Sequence, residues 1–533
     1  MEAVRVPMGP SPDRAAVQAY GPPIPAAGRT DACVVPQTTT SEINMTEINE
    51  PIGLAGELRS RSAPRKGALV AVGALLVILT NAIMFILPPL LPVIQTQYGL
   101  TTVSAVMWIF TLLTLGGGAG YILLPRLADV SGDRNASVLA SGCLAAGALI
   151  PAVGDSYPAL LIGSTIMGFG SAAQLLPLGF LRRNLGEEGI ITAVRVLVVA
   201  SGVGIVVGMI GGGLIVETLS LRTFFCILAA ACVATTIASF AAVPQSAPAE
   251  SGGRIGLLGT VWLITWVGAV LLTLTQGLVW GGAAVIPLIL GVVGGVLWVR
   301  VERKSSAAVF DVVLLKLPLV TVACLSMAVF GAVNAAFLLL LSTYSQVVPS
   351  SLPPEDAYGL GRTALQTGWL MVPFAVMFVV GGKVVDRLVA KGRGASVLVT
   401  GALLSAVGLA WLALAHDHPW HYLVGAGVIG LGCSMGYAAG FSIAQMAVPE
   451  EKAGMAAGVA GTAMAIGIAF GSALITGVLS ASVVSVPGTE VEVAEKGLYG
   501  TSYWVSVGLA LLVVVAVLVS RARNGRRVLA AAS

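Results

Sequence analysis

From Ala68 to Ser520 the chain is a succession of apolar runs of about 20 residues, separated by short polar breaks. A helix of that length crosses roughly 30 Å of hydrocarbon. The first eight runs lie near 68–92, 104–125, 137–154, 157–181, 190–216, 223–243, 257–276 and 280–300. Six more lie near 318–345, 363–388, 395–415, 420–446, 453–481 and 501–520. The expectation is an all-α integral membrane fold with fourteen transmembrane helices.

Composition agrees with this pattern. Of 533 residues 56% are apolar and 10% charged, against about 25% charged in an ordinary soluble domain. So few charges cannot cover a water-soluble globule, which excludes soluble enzymes, nucleic-acid modules and secreted disulfide scaffolds. The 66 glycines suit closely packed membrane helices. Cys143, Cys226, Cys232, Cys324 and Cys433 sit inside apolar runs as small hydrophobes, and Cys33 lies in a polar tail. No CxxC pair occurs, so neither a metal nor another cofactor is expected. His416, His418 and His421 crowd one inter-helix loop and read as a solvated turn.

Residues 1–67 are polar, rich in Pro, Ala and Thr, and are expected to be a disordered cytoplasmic tail with no signal peptide. Positive charge is distributed unevenly around the spans. Arg126, Arg134, Arg182, Arg183, Arg300, Arg303, Lys383, Arg387 and the basic tail 521–533 fall on the side shared by both termini. The other side has only Arg222, Arg362 and Lys496. The positive-inside rule then places both termini in the cytoplasm of a multi-pass plasma-membrane protein.

The chain also repeats itself at a spacing of roughly 260 residues, a sign of two related bundles. Ile166–Ser171 resembles Val428–Cys433, Gly204–Gly208 resembles Gly467–Gly471, and Glu187-Glu188 returns as Glu450-Glu451. Asp129 after the second helix returns as Asp386 after the tenth. Helices one to six thus match nine to fourteen. The expected domains are a six-helix bundle at 68–243, a linker with two inserted helices at 244–317, and a second bundle at 318–520.

The loop Pro125-Arg126-Leu127-Ala128-Asp129-Val130-Ser131-Gly132-Asp133-Arg134 carries an acid among arginines, able to latch a neighbouring helix through a charge-assisted bond. Its second copy runs from Gly382 through Asp386 and Arg387 to Gly392. Gly204, Gly208, Gly212 and Gly213 give helix five a smooth face on which a neighbour can sit closely. The loops resemble the GxLaDrxGrr motif of the major facilitator superfamily, with Pro125 in place of the first glycine. Gly208–Leu214 resembles the GPxxGG-type motif of that superfamily's antiporters, with Met209 in place of proline. Together with the inserted pair, these features resemble the 14-helix drug:proton antiporter branch over residues 68–520. That resemblance implies alternating access between two bundles, a small-molecule substrate, and protons as the energy source. It implies no enzyme activity and no nucleic-acid partner.

One departure bears on mechanism. The antiporters of that branch carry an acid in helix one and an arginine in helix four, where this chain reads Leu79–Phe85 and Ser164–Gly168. All 25 acids fall in the tail, loops or helix ends. Glu217 and Asp129 remain as proton-carrying candidates, with Arg195 expected to snorkel to the interface. Asn81, Phe85, Gln174 and Asn334 are the candidate substrate contacts, with Trp108 and Gln445 behind them. For each, an interhelical bond or plain packing competes with ligand contact. Asp129, Arg134, Asp386 and Arg387 are the candidate latch, and Gly204, Gly208 and Gly212 the candidate packing hinge. The expected function is export of an apolar or amphipathic small molecule, coupled to protons or not. A transporter-like membrane scaffold or sensor is the alternative.

Overall fold

The computed structural model describes residues 52–245, 257–303, 317–389, 391, 393–449 and 453–531. Side chains are described from Lys66 to Ser520, except at 187–188, 191, 257, 278–279, 383–384, 386–387, 389 and 453–454 within those ranges. The chain divides into two units, Met1–Leu58 and Arg59–Ser533. Of the first, only 52–58 is described, and it is helical.

Fourteen helices among the described residues are long and apolar enough to cross a membrane. They are α1 (Lys66–Gln97), α2 (Val103–Ser131), α3 (Asp133–Gly154), α4 (Tyr157–Asn184), α5 (Thr192–Thr218), α6 (Leu221–Ala242) and α7 (Leu258–Gly277). There follow α8 (Gly281–Glu302), α9 (Pro318–Gln346), α10 (Ala364–Gly382), α11 (Gly394–Leu414), α12 (Pro419–Met446), α13 (Met455–Leu479) and α14 (Lys496–Ser520). Within the second unit, residues 59–65 are already helical ahead of α1 and helix continues beyond α14 to Ala531, so both ends of the apolar array reach into segments read from sequence as tails. Extending an existing helix avoids the cost of nucleation.

Short polar residues start several helices. The hydroxyls of Thr102, Ser156 and Ser220 accept the backbone N–H groups of Ala105, Ala159 and Thr223 at the starts of α2, α4 and α6. Gly132, with φ of 91°, turns the chain between α2 and α3, where a side chain would be strained. Successive helices run in opposite directions. The side where α1 begins is termed the near end, and the side where it finishes the far end.

Within each bundle the same contacts recur. In the first, α4 packs on α2 and α3, and α3 on α6; in the second, α12 packs on α10 and α11, and α11 on α14. Gly168 of α4 lies against Leu113 of α2, as Gly430 of α12 lies against Phe374 of α10. Gly204 and Gly208 of α5 lie on Ile78 and Ala82 of α1, as Gly467 and Gly471 of α13 lie on Ala328 and Ala332 of α9. The internal repeat read from the sequence is therefore a repeat of contacts.

Two seams join the bundles, and the repeat relates them to each other: α2 against α13, and α5 against α10. Along the first, Thr111 and Ser472 share a hydrogen bond of 2.7 Å, and Tyr121 lies against Gly461. Along the second, Gly202 meets Val379 and Gly213 meets Leu365. The inserted pair α7–α8 packs on the α2/α13 seam, where Leu263, Val267 and Leu271 join Leu115, Ala469 and Ala473 in one apolar cluster.

At the far end the seams are reinforced by polar contacts. Pro92 has no N–H, so the Pro88 carbonyl lacks its donor within α1. The Ser342 hydroxyl of α9 donates to that carbonyl, and Gln346 Nε2 donates to the Pro89 carbonyl at 2.9 Å. A hairpin of β1 (Val483–Ser485) and β2 (Glu492–Ala494) between α13 and α14 adds another tie, one that the sequence reading did not foresee. The Glu492 amide donates to the Thr101 carbonyl at 2.9 Å, linking the hairpin to the α1–α2 loop.

Candidate substrate site

Where α1, α9, α10 and α12 converge, aromatic rings form a chain. Phe85 of α1 lies 6.0 Å from Phe374 of α10 between ring centroids, across the bundle boundary. Phe374 stacks on Phe337 of α9 at 5.4 Å and on Phe378 at 5.8 Å. Phe378 approaches Tyr437 of α12 at 6.0 Å, and Tyr437 approaches Phe330 of α9 at 6.3 Å. Of these six rings only Phe378 is less than fully buried. Phe85 was legible from the sequence; the rest were not. Phe374 and Phe378, four residues apart on one helix face, carried the available signal.

Asn334 is 4% exposed and sits at the Tyr437 end of this column. Its Nδ2 donates to the Tyr437 hydroxyl at 3.3 Å, and that hydroxyl donates to the Phe330 carbonyl at 3.2 Å. The Asn334 Oδ1 is buried with no hydrogen-bond partner among the described residues. An amide oxygen left so in an apolar interior costs on the order of 1–3 kcal/mol unless a ligand or water reaches it.

Asn81 is placed differently. Its Nδ2 donates to the Val77 carbonyl of its own helix at 2.9 Å, and its Cβ lies beneath Gly204 of α5. The glycine contacts align Ile78 with Ala328 and Ala82 with Ala332, an offset of 250 residues. Asn81 therefore corresponds to Gly331, and Asn334 to Met84. The parallel between the two asparagines that the sequence suggests is displaced by one helical turn. Gln174 Nε2 bonds the hydroxyl of Tyr121, which is buried near the α2/α13 seam. Trp108 and Gln445 are each half-buried.

The near-end loop of the first bundle is held by Arg183 of α4. It lies 3.8 Å from Asp129 and makes its closer contact with the buried Asp133. Arg134 is engaged elsewhere: its Nε donates to the Val243 carbonyl at 2.8 Å, closing the end of α6, and its guanidinium lies over the Phe240 ring. These contacts all stay within the first bundle. Arg183 and Asp133 were not singled out from sequence, because the helix that brings Arg183 to the loop is distant along the chain. The side chains of Asp386 and Arg387 lie outside the described residues.

Gly204, Gly208 and Gly212 face α1 within the same bundle, against Ile78, Ala82 and Ile86. Gly202 and Gly213 are the α5 glycines at the seam with the second bundle. Residues Val207–Gly211 form a π-turn, so the helix departs from regular geometry where the antiporter motif has proline and this chain has Met209. Glu217, at the far end of α5, accepts the Leu365 amide of α10 at 3.2 Å and so joins the bundles. A carboxylate at the start of a helix also complements its dipole. Arg195 is exposed near the start of α5.

The histidine loop corrects the sequence reading. His416 and His421 are each 9% exposed, so the turn is not solvated at these rings. His416 Nδ1 bonds the Leu412 carbonyl at 2.8 Å, and its ring stands edge-on to Tyr344 at 4.9 Å. Asp417 accepts the Tyr344 hydroxyl at 2.8 Å and pairs with Lys496 at 3.0 Å. Burial holds the His416 imidazole below its ordinary range, outweighing the Leu412 carbonyl and Asp417. For Asp417 burial acts upward, but the Tyr344 and Lys496 bonds outweigh it and hold the carboxyl below its ordinary range. Tyrosines drawn from α9, α12 and α14 cover this cluster, and the sequence gives no hint that they meet.

Comparison with known proteins follows this architecture. The profile described as Major Facilitator Superfamily matches residues 73–254, 234–472 and 345–532. The multidrug resistance protein Stp of Mycobacterium tuberculosis (strain ATCC 25618 / H37Rv) is 25% identical over 402 residues, covering 73% of this chain and 72% of Stp. The puromycin resistance protein pur8 of Streptomyces alboniger is 27% identical over 488 residues, covering 85% of this chain and 91% of its own. The multidrug efflux pump LfrA of Mycolicibacterium smegmatis (strain ATCC 700084 / mc(2)155) is 25% identical over 439 residues, covering 79% of this chain and 82% of LfrA. Among solved structures, the nucleoside transporter NupG superposes with a TM-score of 0.57 at 12% identity, covering 85% of this chain and 99% of that one. With its paired bundles, related seams and profile matches along nearly all of the spanning region, this chain belongs to the major facilitator superfamily.

Proposed function

We propose that this protein is a secondary transporter that exports an apolar or amphipathic small molecule by alternating access between its two bundles. The carrying observation is the buried aromatic column from Phe85 to Tyr437, which crosses the bundle boundary and ends on the unpartnered Asn334 amide oxygen. Such a surface offers stacking and one site for a hydrogen-bond donor to a largely apolar cargo. Relatives named for multidrug resistance, multidrug efflux and puromycin resistance support an efflux direction. The near end is cytoplasmic in this reading and the protein is a multi-pass component of the plasma membrane, supported by the bias of Lys and Arg. The domains divide at 68–243, 244–317 and 318–520, with the central pair as an insertion.

Proton coupling in this reading is weak and passes through a peripheral acid such as Glu217, since every acid lies in the tail, a loop or a helix end. Purified protein in proteoliposomes, loaded in turn with a panel of apolar dyes and antibiotics, tests the function. Flux of at least one compound that Phe374→Ala abolishes supports export. Absence of flux across the panel from well-folded protein favours a scaffold or sensor.

A further inference from the structure

We propose that the cleft between α7 and α8 binds one anionic phospholipid, its acyl chain in the cleft and its phosphate on Arg300 and Arg303. The cleft has a volume of about 480 Å³, and Val292, Val296, Arg300 and Arg303 of its lining are exposed. Its wall is one face of α8, formed by Val292, Val296 and Val299 and ending on Arg303. The α7 wall is Val270 and Trp266.

The sequence makes this cleft in a specific way. A Cβ at Gly291 would lie 2.6 Å from Val270 Cγ2, and one at Gly295 would lie 3.2 Å from the Trp266 ring. Glycine at these two positions lets the helices close while leaving a trough beside them. Val292 and Val296 are about half exposed, at 55% and 49%. Facing hydrocarbon, such a trough is filled by a lipid chain in preference to water.

Charge identifies the headgroup. Among the described residues, the lining holds two guanidinium groups and no carboxylate. Both arginines are exposed, Arg300 in the last turn of α8 and Arg303 directly after it, where the apolar span ends and phosphates lie. The buried Glu302 is not part of the lining. Arginine pairs bidentately with phosphate, so a net anionic lipid is favoured over a zwitterionic one, whose choline offsets the phosphate charge. The site is remote from the aromatic column, and it does not depend on the export reading. Because α7 also packs on the α2/α13 seam, its occupant stands beside a joint between the bundles.

Native mass spectrometry of the full chain, released from nanodiscs of phosphatidylcholine with phosphatidylglycerol, tests the proposal directly. One phosphatidylglycerol is expected to be retained in preference to phosphatidylcholine. R300Q/R303Q should weaken retention roughly thirty-fold, R300K/R303K should keep most of it, and V296W should exclude the chain. R521Q/R523Q, in the basic segment that follows α14, should leave retention unchanged. Equal retention of phosphatidylcholine by the wild-type protein would overturn the proposal. So would undiminished retention in R300Q/R303Q, or a loss caused equally by R521Q/R523Q. The wild-type lipid preference decides the matter even if a variant fails to fold, and dye flux by the same variants in proteoliposomes reports separately on export.

Discussion

Asn334 and Asn81 are the same side chain in two chemical situations. Asn334 spends its amide across helices on Tyr437 and leaves a buried oxygen open, whereas Asn81 satisfies itself on Val77. Asn334→Ala should weaken cargo binding roughly tenfold, the worth of one hydrogen bond, with the midpoint of thermal unfolding almost unchanged. Asn81→Ala should change binding less than twofold or threefold by the same reasoning. Equal losses in equilibrium dye binding would put both amides on the cargo. His416 makes a separate prediction. Its folded pKa lies below the unfolded value of about 6.5, so the unfolded chain takes up the proton first. Its contribution is therefore full above about pH 6.5 and lost as pH falls through that value, with a slope approaching 1.4 kcal/mol per pH unit. Asp417, also depressed, loses its contribution only as pH falls below about 3.9. Thermal melts in detergent from pH 7.5 to 5.5 should show this decline, and His416→Gln should flatten it.

At the scale of elements, α1 shows how a local sequence rule becomes a contact between bundles. Three prolines in Pro88-Pro89-Leu90-Leu91-Pro92 strip N–H donors from the helix; the loss at Pro92 frees the Pro88 carbonyl, which Ser342 of α9 serves, and Gln346 adds a bond to the Pro89 carbonyl. Ser342→Ala leaves a buried carbonyl without its partner across the far end, at a cost of about 1–3 kcal/mol. Far-end opening should then become more populated, read as a longer distance between spin labels at Leu219 and Ser350. Pro92→Ala restores a donor within α1 and should reverse part of the shift; no change in either variant would show that these bonds do not hold the far end. The α5 glycines separate by partner as well. Gly204, Gly208 and Gly212 fix α5 to α1, and Gly202 and Gly213 touch the opposite bundle. Periodicity marked Gly204, Gly208, Gly212 and Gly213 but not Gly202, and it did not show which neighbour each would meet.

For the whole molecule, the placement of charge decides the energetics of coupling. A proton carrier needs a group that is alternately buried and exposed, and a charge near the bilayer centre costs several kcal/mol. With every acid outside the middle of the spans, uptake into proteoliposomes should follow the cargo gradient, with only modest stimulation by an imposed pH difference. Steep pH-driven accumulation that survives both Glu217→Gln and Asp129→Asn would place the proton on a group other than these two acids.

The number of helices, their ends to within a few residues and the internal repeat follow from the sequence alone. Each rests on the length of an apolar run, set by the thickness of hydrocarbon, or on glycine spacing within one helix. What required the tertiary structure is every relation between helices: the one-turn shift that separates Asn81 from Asn334, the aromatic column, Arg183 gripping Asp133, and the buried His416 among tyrosines. These depend on the rotation and axial offset of one helix against another. In an array apolar on all sides, hydropathy carries no record of either.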